Sequence, residues 1–260
     1  MTSSIKRALQ AGCGSGFLPL LSACGLTLVA ARAADQVVDD FKSPGLAATW
    51  KLANLLSADG GKAEYDYASG DGKLTIRVKE FQPKASQDAL LCSGVTLEPG
   101  RMFMVDILDF KTAGAFNTVG PVVTTGTAVS NRNDMVSVTA NSGMTGLTGN
   151  YTDHQGQASG ASAANLPGKL TQLFIARQLP DLYQIGYQVE GGKPVVISSF
   201  LVPAGEPQPA TVGLWMDLRG TGGSVTYQNA RITDAPGCGV VLPGIFSDHM
   251  VLQRQQPVPV

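Results

Sequence analysis

Paired carboxylates are the first residues to consider, because two of them on one strand face can act as acid and nucleophile at a glycosidic bond. Asp106 and Asp109 lie three positions apart in a predicted strand, and an odd spacing points side chains to opposite faces. Glu64 and Asp66 share a face, but their strand lies early in the chain beside a turn. The sequence therefore predicts no catalytic pair at Asp106 and Asp109 and a solvated edge at Glu64 and Asp66.

Serine and histidine residues give no recognisable nucleophile–base arrangement. His154 falls in Ala140–Pro167, a segment rich in Gly, Ser, Thr, Ala and Asn that we predict to be a long surface loop, with His154 solvated. Ser247 and His249 have no indicated orienting acid or oxyanion hole. We therefore predict no catalytic residues in this chain and no cofactor. Since the sequence has no CxxC motif or His/Cys cluster, we also predict no metal site.

An aromatic ring and two polar groups share one face of the predicted strand Ala210–Arg219. Trp215, Asp217 and Arg219 alternate there with apolar residues that would face a core. A sugar offers apolar C–H faces edged by hydroxyl groups, so this combination predicts a carbohydrate-binding site at these three residues. The alternative is that a loop covers Trp215, because large aromatic side chains are mostly buried.

The composition describes a neutral, turn-rich chain. The 260 residues include 31 glycines and 15 prolines, 43% are hydrophobic, and the formal net charge is -1. This apolar fraction with so little charge excludes a disordered chain. The charge balance gives no electrostatic basis for binding nucleic acid or anionic lipid, so neither is an expected partner.

Short runs of alternating apolar and polar residues, separated by turns, predict an all-β fold. In Lys73–Glu80 the apolar residues recur at every second position after the turn residues Asp71-Gly72, and Arg101–Phe110 reads as a central strand. Tyr183, Tyr187 and Trp50 are predicted core residues. So many strands fit a β-sandwich of two packed antiparallel sheets. The remaining predicted strands are Val119–Thr125, Asp134–Ala140, Leu170–Arg177, Leu182–Glu190, Val195–Val202, Ala210–Leu218 and Val225–Thr233.

The layout of these segments resembles the concanavalin A-like lectin/glucanase fold, a jelly roll. The resemblance rests on Phe41 and Trp50-Lys51 at the start, a late hairpin at Tyr183–Tyr187 followed by Gly191-Gly192, and the closing segments Val212–Trp215 and Val225–Ile232. It covers about Gln36 to Thr233. Families with this fold are mostly glycan-binding or glycan-cleaving, which is an analogy for function. The Glu-x-Asp-x-Glu pattern of its glycosidases is absent from this sequence.

The N-terminus has the organisation of a secretory signal peptide. Lys6 and Arg7 precede the apolar run Phe17–Ala31, and Ala31-Arg32-Ala33 supplies the small residues of a cleavage site. We expect a signal peptide over residues 1–33 and a secreted or periplasmic protein. Leu21-Ser22-Ala23-Cys24 resembles a bacterial lipobox, which would give a lipid anchor at Cys24 and the one expected contact with a membrane, although the apolar run continues beyond it.

Removal of residues 1–33 would leave two cysteines, Cys92 and Cys238. In an oxidising compartment they permit a single disulfide. The alternative is that Cys92 is a buried free thiol, because free cysteine is often buried. The sequence leaves both open.

The C-terminal residues 241–260 read VLPGIFSDHMVLQRQQPVPV, and this segment closely resembles the opening of the sialate O-acetylesterase family. The family removes O-acetyl esters from sialic acids with a serine hydrolase site that lies downstream of this opening. The resemblance implies a sandwich domain at 36–234, a linker at 235–240 and the truncated start of an esterase-like domain at 241–260. Ser247 and His249 would then be structural residues within an extended tail.

These observations together predict a secreted carbohydrate-binding β-sandwich placed before a sialate O-acetylesterase-like domain. The sandwich would hold an acetylated glycan near the esterase and raise its effective concentration. We expect a glycan as the partner and a monomer as the oligomeric state. Two alternatives are an O-acetylesterase that acts on acetylated sialic acids or glycans as it stands, and a structural spacer with no ligand.

Overall fold

The computed structural model of the protein describes residues 34–55, 63–81, 87–113, 117–218 and 220–236. Within these ranges the chain forms fifteen strands and one short 3₁₀ turn at Ser142–Met144. The strands make two antiparallel sheets, so the predicted all-β sandwich is confirmed. The proposed signal peptide at 1–33, the lipidation site at Cys24 and the tail at 241–260 lie outside the described residues.

Sheet A has eight strands and forms one layer. Its spatial order is β13 (Val195–Leu201), β12 (Leu182–Val189), β11 (Leu170–Arg177), β6 (Arg101–Lys111), β15 (Ser224–Asp234), β4 (Lys73–Phe81) and β3 (Ala63–Gly70), with β1 (Gln36–Asp39) paired to β15.

Sheet B has seven strands and forms the other layer. Its spatial order is β10 (Ala158–Ala164), β9 (Gly146–Thr152), β8 (Met135–Asn141), β7 (Thr118–Thr124), β14 (Thr211–Asp217), β5 (Asp88–Thr96) and β2 (Trp50–Asn54).

The core lies between the sheets and is built by the period-two alternation of the strands. On β14, Val212, Leu214 and Met216 belong to the central cluster, whereas Trp215 belongs to a separate cluster on the outer face of sheet B. The predicted core residues Tyr183, Tyr187 and Trp50 are all buried in the central cluster. The remaining described members of that cluster come from both sheets, and this is the arrangement expected of two sheets packed face to face.

The prediction of a long loop over Ala140–Pro167 is wrong. The segment contains β9 and β10, which pair in register from Thr152 opposite Ala158 to Gly146 opposite Ala164. Most of its side chains are small and lack the hydrophobic alternation that indicates a strand. The segment becomes a strand because β9 pairs with β8. Gly149 also lets β9 approach sheet A, since a Cβ there would overlap the Cδ1 of Ile185.

The prediction that Asp106 and Asp109 face opposite ways is also wrong. Tyr227 pairs with Ile107 but Thr226 pairs with Asp109, so Leu108 is an extra residue in β6. This bulge reverses the parity of the strand, and both carboxylates therefore lie on the outer face of sheet A. Asp106 is held there by the side-chain amide groups of Gln172 and Asn229, at 2.6 and 2.7 Å, and by the Arg231 guanidinium at 3.4 Å.

Glu64 and Asp66 lie on β3, the last strand of sheet A, and both are exposed. The predicted solvated edge is confirmed. Cys92 is buried, and burial raises the pKa of its thiol. Its proposed partner Cys238 lies outside the described residues, so the disulfide stays a prediction.

Candidate functional site

The outer face of sheet B carries a groove with a volume of about 320 Å³. This is near the lower end of the range of small-ligand sites. Its hydroxyl and amide lining comes from Thr118, Ser137, Thr139, Thr148, Asn150 and Thr152. The other lining residues are Gln87, Arg132, Met135, Ala158, Trp215 and Asp217.

Strand alternation explains why polar groups line this groove. On β8, Val136, Val138 and Ala140 enter the core, so Ser137 and Thr139 face the groove. The same rule places Thr148, Asn150 and Thr152 on the groove side of β9. Adjacent strands therefore present their hydroxyl groups side by side, and Thr139 donates its hydroxyl hydrogen to the Thr148 carbonyl over 3.2 Å.

Trp215 forms part of the groove wall and is only 6% exposed. Its ring packs in an apolar cluster that includes Leu91, Val122 and Met135. The indole Nε1 donates a hydrogen bond of 3.1 Å to Oγ1 of Thr118. The ring therefore contributes a small accessible surface to the groove while stabilising the strands beneath it.

Asp217 lies two residues further along β14 and is 3% exposed. The Gln87 amide Nε2 donates to its carboxylate over 3.1 Å, so the two side chains join β14 to the start of β5. The Gln87 Oε1 is buried and accepts no hydrogen bond from the described residues. A buried oxygen without a hydrogen bond costs free energy. A ligand that donates a hydrogen bond to it, such as a hydroxyl group, would therefore be stabilised here. Arg219, the third predicted binding residue, lies outside the described residues.

Arg132 also lines the groove, as do Thr152 and Ala158, which flank the turn between β9 and β10. His154 lies in this turn, with its side chain 66% exposed and its Nδ1 2.8 Å from Oδ2 of the buried Asp134. The hydrogen bond with Asp134, and then the charge of that carboxylate, raise the pKa of His154. The predicted exposure of His154 is confirmed, but its location in an extended loop is wrong.

Of the residues predicted from the sequence to bind carbohydrate, the two that the structure describes, Trp215 and Asp217, line this groove. Sequence reasoning missed Gln87 because no pattern in the sequence places the start of β5 beside β14. It missed Thr148, Asn150 and Thr152 because their strand was assigned to a loop. The alternation in Asp134–Ala140 was the one available signal for Ser137 and Thr139.

Over the described ranges, no group of three or more His, Cys, Asp or Glu side chains is placed to hold a metal ion. The same ranges contain no helix long and apolar enough to cross a membrane.

Comparison with solved structures supports the fold. A substituted form of LamA from Zobellia galactanivorans, in complex with laminaritriose and laminaritetraose, is 10% identical, with a TM-score of 0.52 over 78% of this chain and 98% of that chain. The GH43 protein BlXynB from Bacillus licheniformis is 12% identical, with a TM-score of 0.51 over 76% of this chain and 39% of that chain.

A third similar structure belongs to work on endo-acting O-glycanases that members of the human gut microbiota express to initiate mucin breakdown. It is 12% identical, with a TM-score of 0.51 over 79% of this chain and all of that chain. No protein-family model matches the sequence, and no curated protein matches it significantly. At these identities the likeness concerns the fold, which is a concanavalin A-like β-sandwich.

Proposed function

We propose that the chain is a carbohydrate-binding module whose site is the groove on the outer face of sheet B. The observation that carries this proposal is the lining itself. Neutral hydroxyl and amide groups line the groove together with Trp215, and the same lining includes Gln87, whose buried Oε1 has no hydrogen-bond partner among the described residues. A sugar matches this lining, since its hydroxyls can both donate and accept hydrogen bonds while its C–H faces contact the apolar wall.

Binding accounts for the groove better than cleavage does. Asp217 is the single carboxylate among the described lining residues, and its carboxylate already accepts a hydrogen bond from Gln87. Hydrolysis of a glycosidic bond commonly uses two carboxyl groups on either side of the bond. The similar structures supply an analogy, because LamA was obtained with laminaritriose and laminaritetraose bound.

The wider context of the module is part of the same proposal. The signal-like residues 1–33 support export from the cytoplasm, to the periplasm or the outside of the cell. The resemblance of residues 241–260 to the opening of the sialate O-acetylesterase family supports attachment to an esterase. The module would then keep an O-acetylated glycan near that enzyme and raise its effective concentration.

Calorimetric titration with laminari-oligosaccharides, and with O-acetylated and de-acetylated sialyl-oligosaccharides, tests the proposal. The variants Gln87→Ala and Asn150→Ala each remove a polar group from the groove. Each should weaken binding about five- to tenfold, as loss of one hydrogen bond of about 1 kcal/mol predicts.

Gln184→Ala is the matched control, because Gln184 lies on the outer face of sheet A, between the core residues Tyr183 and Ile185. The control should bind as the unaltered chain does. Equal affinity of all three variants would show that the binding site is not this groove. Absence of binding to every glycan in the panel would contradict the proposed function.

A further inference from the structure

The edges of the two sheets differ in how well they are protected against pairing with another chain. An exposed strand edge is a template for a further strand, and proteins block it with charges, prolines, bulges or short strands. On β3 the exposed residues include Glu64 and Asp66, which would repel their counterparts in a second copy. The edge strand β2 has five residues and carries the exposed Lys51.

Two features of the backbone protect the edge strand β13 against pairing with another chain. It begins directly after Pro194, which has no N–H to donate. Its register against β12 also shifts, since Gly186 pairs with Val196 and Ile185 with Ser198. The extra residue bends the strand and interrupts the regular row of donors and acceptors that a partner strand needs.

The short strand β1, which pairs with β15 alone, carries Asp39 and a register shift, whereas the edge strand β10 has none of these devices. Its sequence, ASGASAA, contains no charge and no proline. It pairs with β9 over all seven residues without a register shift, and no described strand pairs with its other side. Five of its residues are exposed and the other two are half-buried. The strand therefore pairs regularly with β9 and carries small, mostly exposed side chains.

From this contrast we infer that β10 forms an antiparallel pair with β10 of a second copy of this chain. A twofold axis through Ala161 would place Gly160 opposite Ser162 and Ser159 opposite Ala163, so small uncharged residues meet along the whole contact. A second copy is favoured over a free peptide because both strands are already ordered by β9, and less conformational entropy is lost on association. A dimer differs from the monomer that we expect from the sequence, and the experiment below distinguishes the two.

Such a dimer would join the two seven-stranded sheets into one continuous sheet. An antiparallel pair of identical strands has its twofold axis perpendicular to the sheet, so the outer faces of both copies point the same way. Both grooves would then open on one side of the dimer. A polymer carrying repeated ligand units could contact both, which would raise its apparent affinity.

The test is sedimentation equilibrium of the full chain over a range of concentrations. The unaltered chain should reach twice the mass of a single copy. Ser162→Lys adds a charge to the exposed edge of β10 and should raise the dissociation constant of the dimer by about tenfold or more. Ser199→Lys is the matched control, since Ser199 is an exposed serine on the edge strand β13, and it should leave the dimer unchanged.

The circular dichroism spectra of both variants establish that they fold, and Ser162→Asp provides a second charge at the same position. A chain that stays at the mass of one copy at every concentration would overturn the inference. A dimer that survives both substitutions at Ser162, or that is lost with Ser199→Lys instead, would overturn it as well. None of these outcomes depends on a glycan, so the proposed function is tested separately.

Discussion

The hydroxyl group of Tyr227, a residue of sheet A, donates a hydrogen bond of 3.1 Å to the backbone carbonyl of Trp215 in sheet B. Tyr227 is fully buried, and burial raises the pKa of its hydroxyl far above the ordinary value. The bond crosses the sandwich and reaches β14 at the residue whose indole forms the groove wall. A core side chain of one sheet therefore binds the strand of the other sheet that carries Trp215, in addition to the pairing of that strand with β5 and β7.

Tyr227→Phe should lower the free energy of unfolding by about 1–3 kcal/mol, because it leaves the buried Trp215 carbonyl without this donor. Chemical denaturation measures the change. Tyr67→Phe is an informative control, since the Tyr67 hydroxyl is buried with no hydrogen-bond partner in the described structure. Its removal should leave the stability unchanged or raise it. A larger loss for Tyr67→Phe than for Tyr227→Phe would contradict this assignment.

Gly149→Ala should destabilise the chain by about 1–3 kcal/mol or more, because the added methyl group would overlap the Cδ1 of Ile185 and separate the sheets. Gly126→Ala is the matched control, since no atom lies within 4 Å of the position of its added Cβ. Thermal or chemical denaturation should show a large difference between the two. Equal stability of both variants would mean that β9 does not approach Ile185 as described.

The intrinsic fluorescence should report ligand binding in the groove. The chain has two tryptophans, and only Trp215 lines the groove, whereas Trp50 lies in the central core. A bound sugar should therefore shift or quench the emission of the unaltered chain. Trp50→Phe should retain the change and Trp215→Phe should abolish it. A response that depends on Trp50 would place the ligand away from this groove.

The His154–Asp134 pair should make the turn between β9 and β10 sensitive to pH. The folded state raises the pKa of His154 above its ordinary value of about 6.5, first through the hydrogen bond with Asp134, then through the charge of that carboxylate, and to a smaller extent through Glu206 and Asp153. Because the raised pKa belongs to the folded state, the stabilisation is fully present below about pH 6.5 and is lost as the pH rises through the folded value.

NMR titration of the His154 ring should give a midpoint above about 6.5, and Asp134→Asn should move it back toward that value. Asparagine suits this position, since Asp134 has a φ of 52° and asparagine tolerates the left-handed region. A midpoint that does not respond to Asp134→Asn would show that this carboxylate is not the cause.

The alternation of apolar residues was sufficient to predict two packed sheets and the core positions of Tyr183 and Tyr187. This succeeded because the direction of a side chain on a regular strand follows from its position alone. The same rule failed at Asp106 and Asp109, where the bulge at Leu108 depends on how β6 pairs with β15. It also failed for β9 and β10, whose small residues become strands only beside β8.

The sequence by itself determined the fold class, the outward face of β14 and therefore the presence of Trp215 and Asp217 on a common surface. Only the tertiary structure decided what surrounds them. Gln87 and Asp217 are 130 residues apart in the chain, and their hydrogen bond exists because β5 and β14 are neighbours in sheet B. Side-chain direction is a local property of the backbone, whereas a binding groove requires strand order, which arises from contacts between distant segments.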